Sequence, residues 1–165
     1  MKAAIFGATS GIGQAIARIM AIRGDDVFLL GRDRKKLDLC TQDLEARSGK
    51  PIAGWGFCDL ERIDSFEEAL VSANAILDGM DTIILTAALF DTQDNLENDF
   101  QKKGKLLTVN FTNTILFCET ARKHLLQRGG GTLCVLSSVA GDRGRKPVVL
   151  YGAAKAGLSH YLESL

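Results

Sequence analysis

The chain has 165 residues, with 20 lysines plus arginines against 20 aspartates plus glutamates, so its formal net charge is +0 at pH 7. That balance excludes a polyanion-binding module as its main role, and no nucleic-acid partner is expected. At 46% hydrophobic and 24% charged residues, the composition is that of a globular domain rather than a disordered or fibrous chain.

No apolar run approaches the ~18 residues of a membrane span. The opening MKAAIFGATSGIG turns glycine-rich before a signal-peptide core forms, so a cytoplasmic location is expected. Cys40, Cys58, Cys118 and Cys134 are widely separated and sit in apolar or amphipathic stretches, which predicts four buried, reduced thiols. His124 and His160 are isolated on helical patterns, so no metal site is expected.

In chain order, KAAIFGA (2–8) predicts a strand and is followed by a helix from about Gly11 to Arg23. DVFLLG (26–31) predicts the second strand, and a charged helix with apolar Leu37 and Leu44 follows from about Arg34 to Arg47. PIAGWGFCDL (51–60) is the third, with Trp55 read as a packing residue; the next helix spans 65–77, with Asp64 or Ser65 as its cap. DTIILTAAL (81–89) is the fourth, and beyond a polar loop one long helix runs from about Phe100 to Leu126. GTLCVLSSV (131–139) is the fifth, and a Gly/Arg loop leads to a last helix starting near Val149.

Apolar strands alternating with helices make βαβ units with right-handed crossovers. The expected fold is therefore α/β, a doubly wound parallel sheet of Rossmann-like type with strand order 3-2-1-4-5. Its ligand crevice would lie where the order reverses, between the first and fourth strands.

GATSGIG places Gly7, Gly11 and Gly13 where the first strand gives way to a helix. One glycine permits the turn, one admits a pyrophosphate against the backbone, and one lets the helix pack close to the sheet. The helix N-terminus offers free N–H groups to the anion, Thr9 and Ser10 add hydroxyls, and Ile12 lies inside the turn. At the end of the second strand an acid would favour NAD, but Gly31 and Arg32 stand there, which favours NADP with NAD as the alternative. Arg32, Arg34 and Lys35 read equally as a solvated basic helix start. Asp59 is placed either to accept a hydrogen bond from an adenine amino group or to cap the next helix; Leu60 and Ala87 complete the expected cofactor contacts.

Tyr151 and Lys155 are four apart on the last helix, so their side chains share a face. A phenol is a poor acid–base catalyst near neutrality unless a fixed cation stabilises its phenolate, and Lys155 supplies one. Ser138 stands thirteen residues before Tyr151 at the expected end of the fifth strand, with Ser137 as its rival on the other face. Asn110 lies in an apolar helix stretch, where a buried amide needs hydrogen-bond partners.

GATSGIG, CDL, VNFTN, LSSVAG and YGAAK, in this order and spacing, resemble the short-chain dehydrogenase/reductase family along almost the whole chain. The resemblance implies a tetrad of Asn110, Ser138, Tyr151 and Lys155. Tyr151 would be the general acid or base and Ser138 the partner of the substrate carbonyl. Lys155 would hold the nicotinamide ribose and tune Tyr151, and Asn110 would anchor a proton-relay water. It also implies a single NAD(P)-binding domain over 1–165, a small-molecule ketone or alcohol as substrate, and a homodimer or homotetramer.

Where the family often has NNAG, this chain has TAAL at 86–89. The family continues with two more strands and a substrate-covering segment, so the resemblance implies a chain incomplete at its C-terminus, with little turnover by residues 1–165 alone. SVAGDRGR and TQDNLENDF look most like the branch containing the decaprenylphosphoryl 2-keto-pentose reductase. On that likeness Arg143, Arg145 and Lys146 would meet a substrate phosphate, the alternative being a solvated loop. The alternative activities are a 3-oxoacyl-thioester reductase and a non-catalytic NADP-binding regulatory protein.

Overall fold

Five short apolar strands line up in parallel in the computed structural model, which describes residues 1–9 and 11–165. They are β1 (Lys2–Phe6), β2 (Asp26–Gly31), β3 (Gly54–Phe57), β4 (Thr82–Leu85) and β5 (Thr132–Val135), in the order β3-β2-β1-β4-β5. This is the expected Rossmann-like sheet. Phe6 pairs with Leu30 on one side and with Leu85 on the other, and Gly31 pairs with Phe57. Central β1 has both neighbours, and Ala3, Ala4 and Ile5 are each 0% exposed.

β2 matches its predicted run, but the other strands are shorter than the apolar runs that announce them, because the last residues of those runs leave the ladder to build loops at its carboxyl edge. Gly7, for example, has φ +95°, yet its N–H still donates to Leu30 O at 3.0 Å.

Helices α1 (Gly11–Arg23), α2 (Arg34–Ser48) and α3 (Ser65–Ile76) follow the first three strands. Asp33 caps α2 by accepting from the Lys36 N–H, and Gly49 closes it at φ +68°. The expected cap of α3 is not made: Asp64 pairs with Arg62 at 3.1 Å, and the Ser65 hydroxyl donates back to Arg62 O at 2.6 Å. Beyond β4 come α4 (Gln93–Leu96), a short helix inside the expected polar loop, and α5 (Phe100–Leu107). A π-helical segment (Thr108–Asn113) and α6 (Thr114–Gln127) follow. After β5 come α7 (Val139–Asp142), a 3-10 turn (Lys146–Val148) and α8 (Val149–Glu163).

The chain divides into two compact units, residues 1–87 with 119–135 and residues 88–118 with 136–165. The first contains the whole sheet and α1 to α3. One of its clusters packs Ile5, Val27, Leu29, Leu37 and Leu44, with Trp55 against it. The Trp55 Nε1–H donates to Asp38 at 2.7 Å, so this ring is a packing residue with a polar handle. The second unit contains α4, α5, the π segment, α7 and α8.

His124 lies 3.2 Å from Glu67, His160 is exposed, and the described residues contain no group of three or more metal-ligating side chains. Among them, no helix is long and apolar enough to cross a membrane.

All four cysteines are free thiols, but only Cys40, Cys58 and Cys118 are buried. Cys134 is exposed, contrary to the sequence reading, because β5 is an edge strand whose Thr132 and Cys134 face outward. Burial pushes the Cys58 thiol up to about 12 and also raises Cys40. A thiol reagent at pH 8 is therefore expected to label Cys134 rapidly and to reach Cys40 and Cys58 only on unfolding, as peptide mapping of the modified protein would reveal.

Candidate active site

In the first unit, the turn from β1 to α1 closes on β4 through bare backbone. A Cβ on Gly7 would lie 2.5 Å from Thr86 Oγ1 and 2.7 Å from the Ala87 nitrogen. One on Gly13 would overlap the Gly7 carbonyl oxygen and lie 2.5 Å from the same hydroxyl. Thr86 is itself fixed, its N–H and hydroxyl both donating to Phe6 O, at 2.8 and 3.1 Å. The TAAL departure is thus where the glycine turn seats. The sequence did not disclose this, since a threonine after a strand carries no signal of its contact.

Gly11 differs from its neighbours. Its φ is +52° and a Cβ there would meet nothing within 4 Å, so this part of the turn faces open space. Ile12 is 61% exposed beside it. The first turn of α1 holds no acidic residue, so no carboxylate there opposes an anion at the helix's positive dipole end. The Thr9 methyl lies against Gly31 at the end of β2, and Ser10 lies outside the described residues.

At the ends of β2 and β3, Arg32 pairs with Glu61 at 3.2 Å, and the guanidinium groups of Arg34 and Arg62 each lie 5.5 Å from the Phe57 ring centre. Arg62 and Phe57 are residues the sequence reading passed over; only the pairing of β3 with β2 brings them to this edge. Asp59 accepts the Glu61 N–H at 3.1 Å, so its carboxylate holds its own turn and does not cap α3. Leu60 is buried and Ala87 half-buried.

In the second unit, Asn110 sits in the π segment at 1% exposure. Its Oδ1 accepts the Leu89 N–H at 2.8 Å and its Nδ2 donates to Leu89 O at 2.6 Å, so the amide pairs with both backbone polar groups of one residue. Thr114 Oγ1 donates to Val109 O at 2.8 Å inside the same irregularity. The sequence reading ran one helix through this stretch; the π segment, a frequent mark of functional sites, has no compositional signature.

β5 stops at Val135, so Ser138 does not end that strand but caps α7, its Oγ accepting the Ala140 N–H at 3.2 Å. Ser137 turns to α8, donating to Lys155 O at 3.2 Å and lying 2.6 Å from Ser159 Oγ. The Lys155 ammonium donates to Leu136 O at 2.8 Å and stands 5.9 Å from the centre of the Tyr151 ring. The half-buried Tyr151 ring also meets Phe90 edge-on, with centroids 5.1 Å apart. Lys155 is 3% exposed, and its desolvation pulls the ammonium below the ordinary lysine range, opposed in part by Cys118.

Glycines seat α8. A Cβ on Gly141 would lie 2.8 Å from the Lys155 carbonyl carbon and the Ala156 nitrogen, and one on Gly152 would lie 2.7 Å from Ala140 O. Arg145 and Lys146, but not Arg143, line a cavity of about 450 Å³ with Ala140, Val149, Ala153 and Ala156. Positions 149, 153 and 156 form a different face of α8 from 151 and 155.

A sequence model of the short chain dehydrogenase family matches residues 1–165. The chain belongs to that family. Carbonyl reductase family member 4 of Xenopus tropicalis is 25% identical over 162 residues, covering 98% of this chain and 66% of that protein. An uncharacterized oxidoreductase of Myxococcus xanthus is 27% identical over 165 residues, covering 99% of this chain and 64% of that one. An actinorhodin polyketide ketoreductase variant crystallised with NADPH has the same fold, with a TM-score of 0.89 at 23% identity over 98% of this chain and 62% of its own. The chain spans about two thirds of the length of these curated relatives. The narrower likeness to keto-pentose reductases gains no support from them.

Two outcomes are expected, one in each unit. Gly13→Ala forces a Cβ into backbone that cannot yield and should cost about 3 kcal/mol in urea unfolding. Gly11→Ala, with open space around it, should cost only the left-handed backbone, about 1–2 kcal/mol.

The second concerns pH. The Lys155 pKa is lowered on folding, so between that value and the ordinary lysine range the unfolded chain binds more protons and stability rises with pH. Compared with Lys155→Met, the wild-type melting temperature should therefore gain as pH rises toward the ordinary lysine range. A constant difference would show that Lys155 contributes no such linkage.

Proposed function

We infer that the chain carries the nucleotide-binding and catalytic parts of an NAD(P)-dependent carbonyl reductase of the short-chain type. The observation that carries this reading is the Tyr151 phenol beside a buried, hydrogen-bonded Lys155 ammonium on one helix.

The residues present suit a nicotinamide dinucleotide. Gly11 leaves open space at the first turn of α1, which carries no acidic side chain, and Arg32, Arg34 and Arg62 gather where an adenosine 2′-phosphate would need cations. This favours NADP, although Glu61 already occupies Arg32 in part. Such a cofactor supplies the hydride for carbonyl reduction.

Tyr151 donates its phenolic proton to the carbonyl oxygen as negative charge develops there, and the nearby Lys155 ammonium stabilises the phenolate left behind. Ser138 uses an oxygen lone pair to cap α7, so its own O–H proton is available to the carbonyl. Ser137 has spent its proton on Lys155 O, which favours Ser138 in that role. Asn110 ties the π segment to Leu89 and so holds the chain that follows β4.

The substrate class that fits is a small-molecule ketone. A phosphorylated or lipid-linked keto-sugar gains nothing from Arg145 and Lys146, whose cavity lies on another face of α8.

Tyr151→Phe is expected to reduce NADPH-linked ketone reduction about 10³-fold while leaving NADP+ affinity, by calorimetry, within about threefold. A panel of simple ketones and 3-oxoacyl thioesters would define the substrate. Undiminished turnover in the variant would sink the enzymatic reading in favour of a nucleotide-binding regulator.

A further inference from the structure

Lys155 is held at two points by two consecutive residues. Its ammonium donates to Leu136 O at 2.8 Å, and its carbonyl accepts from Ser137 Oγ at 3.2 Å. Ser137 Oγ is also 2.6 Å from Ser159 Oγ, one helical turn beyond Lys155. A hydroxyl has a single proton, so with the Ser137 proton on Lys155 O the bond between the serines must be donated by Ser159. The proton order therefore runs from Ser159 to Ser137 to the Lys155 carbonyl, and it joins positions 18 and 22 residues apart in sequence.

We propose that Ser137 and Ser159 form a hydroxyl clamp that sets where the Lys155 ammonium stands, making Ser137 a positioning residue for the acid–base pair. The clamp rests on the carbonyl-reductase reading for its catalytic meaning, though not for its existence. The reach of a lysine side chain is governed by four flexible torsions, and an ammonium has three donors that water satisfies from any direction. Burial removes the water, so the ammonium follows the acceptor offered by Leu136. That acceptor is useful only if the 155–159 turn of α8 cannot rotate or slide against residues 136–138. Glycine contacts press α7 and α8 together but are not directional, whereas the two serine bonds fix the rotation of α8 about its axis.

Ser138 leaves the same three-residue segment, so the clamp also fixes the direction from which its hydroxyl projects. Among the described residues, the titratable groups facing Lys155 are Tyr151 on α8 and Cys118 on α6. The charged side chains of the neighbouring α5, α7 and 3-10 turn, namely Lys102, Lys105, Asp142 and Lys146, are exposed, and Lys103 donates to Glu97 O.

The test compares wild type with Ser137→Ala, Ser137→Thr, Ser159→Ala and the double alanine variant. The readouts are kcat, KM and the ¹⁵Nζ titration of Lys155 by NMR, assigned by its loss in Lys155→Met. Either alanine should lower kcat about tenfold with KM unchanged, and should move the Lys155 midpoint upward as the ammonium gains water. The double variant should be no worse than either single, because one proton chain is broken once. Threonine, which keeps the hydroxyl, should restore both readouts.

An unchanged midpoint and kcat in Ser137→Ala with only a lower melting temperature would overturn the clamp, as would failure of threonine to restore them. If Tyr151→Phe retains full activity, the carbonyl-reductase reading falls. The Lys155 midpoint still decides the clamp in that case.

Discussion

A lysine ammonium with almost no contact with water is the constraint around which the second unit is organised. Such a charge is costly unless acceptors replace its hydration. Leu136 O supplies one, and supplying it requires the segment beyond β5 to pass directly over α8. That approach is possible because Gly141 and Gly152 present no side chains where α7 meets α8. Ser137 then removes the remaining freedom of the helix. The depressed proton affinity of Lys155 is the visible cost of the arrangement, and a fixed cation beside Tyr151 is what it achieves.

The first unit solves a similar problem without charge. The turn after β1 must bring a helix N-terminus to the sheet edge, and its backbone must come within contact of the residue after β4. Gly7 and Gly13 allow that approach, and Thr86 receives both. Gly11 has a different function in the same turn, since its missing side chain faces open space. Three glycines that look alike in sequence thus divide into two that close the fold and one that keeps a surface clear.

Much of this was legible in the residues. Alternating apolar runs and helices predicted five parallel strands and their order, because only right-handed crossovers bury both faces of such a sheet. The starts of α1 at Gly11 and of α2 at Arg34 were read correctly, the first from the glycine turn, and the Asp33 cap of α2 emerged only in the structure. Strand ends were overextended, since an apolar residue beyond its partner's end leaves the ladder without changing its hydropathy. The Asp64 cap failed because its backbone is already helical, at φ −61° and ψ −24°, whereas a capping side chain needs extended backbone. Exposed Cys134 was misjudged because an edge strand and a central one have the same composition. The π segment around Asn110 escaped notice because a single wider turn leaves the helical pattern nearly intact.

The sequence by itself determined the fold class, the family and the presence of Tyr151 and Lys155 one turn apart, because these depend on periodicity, on motif order and on spacing along one helix. Tertiary structure alone decided which hydroxyl of the Ser137–Ser138 pair is spent and which is free, and that Thr86 is the seat of the glycine turn. It alone decided that Glu61 meets Arg32 while Arg62 joins Arg34 on Phe57. Each of these is a contact between residues distant in the chain, and which of several competing partners a polar group takes is settled only when packing places them within bonding distance.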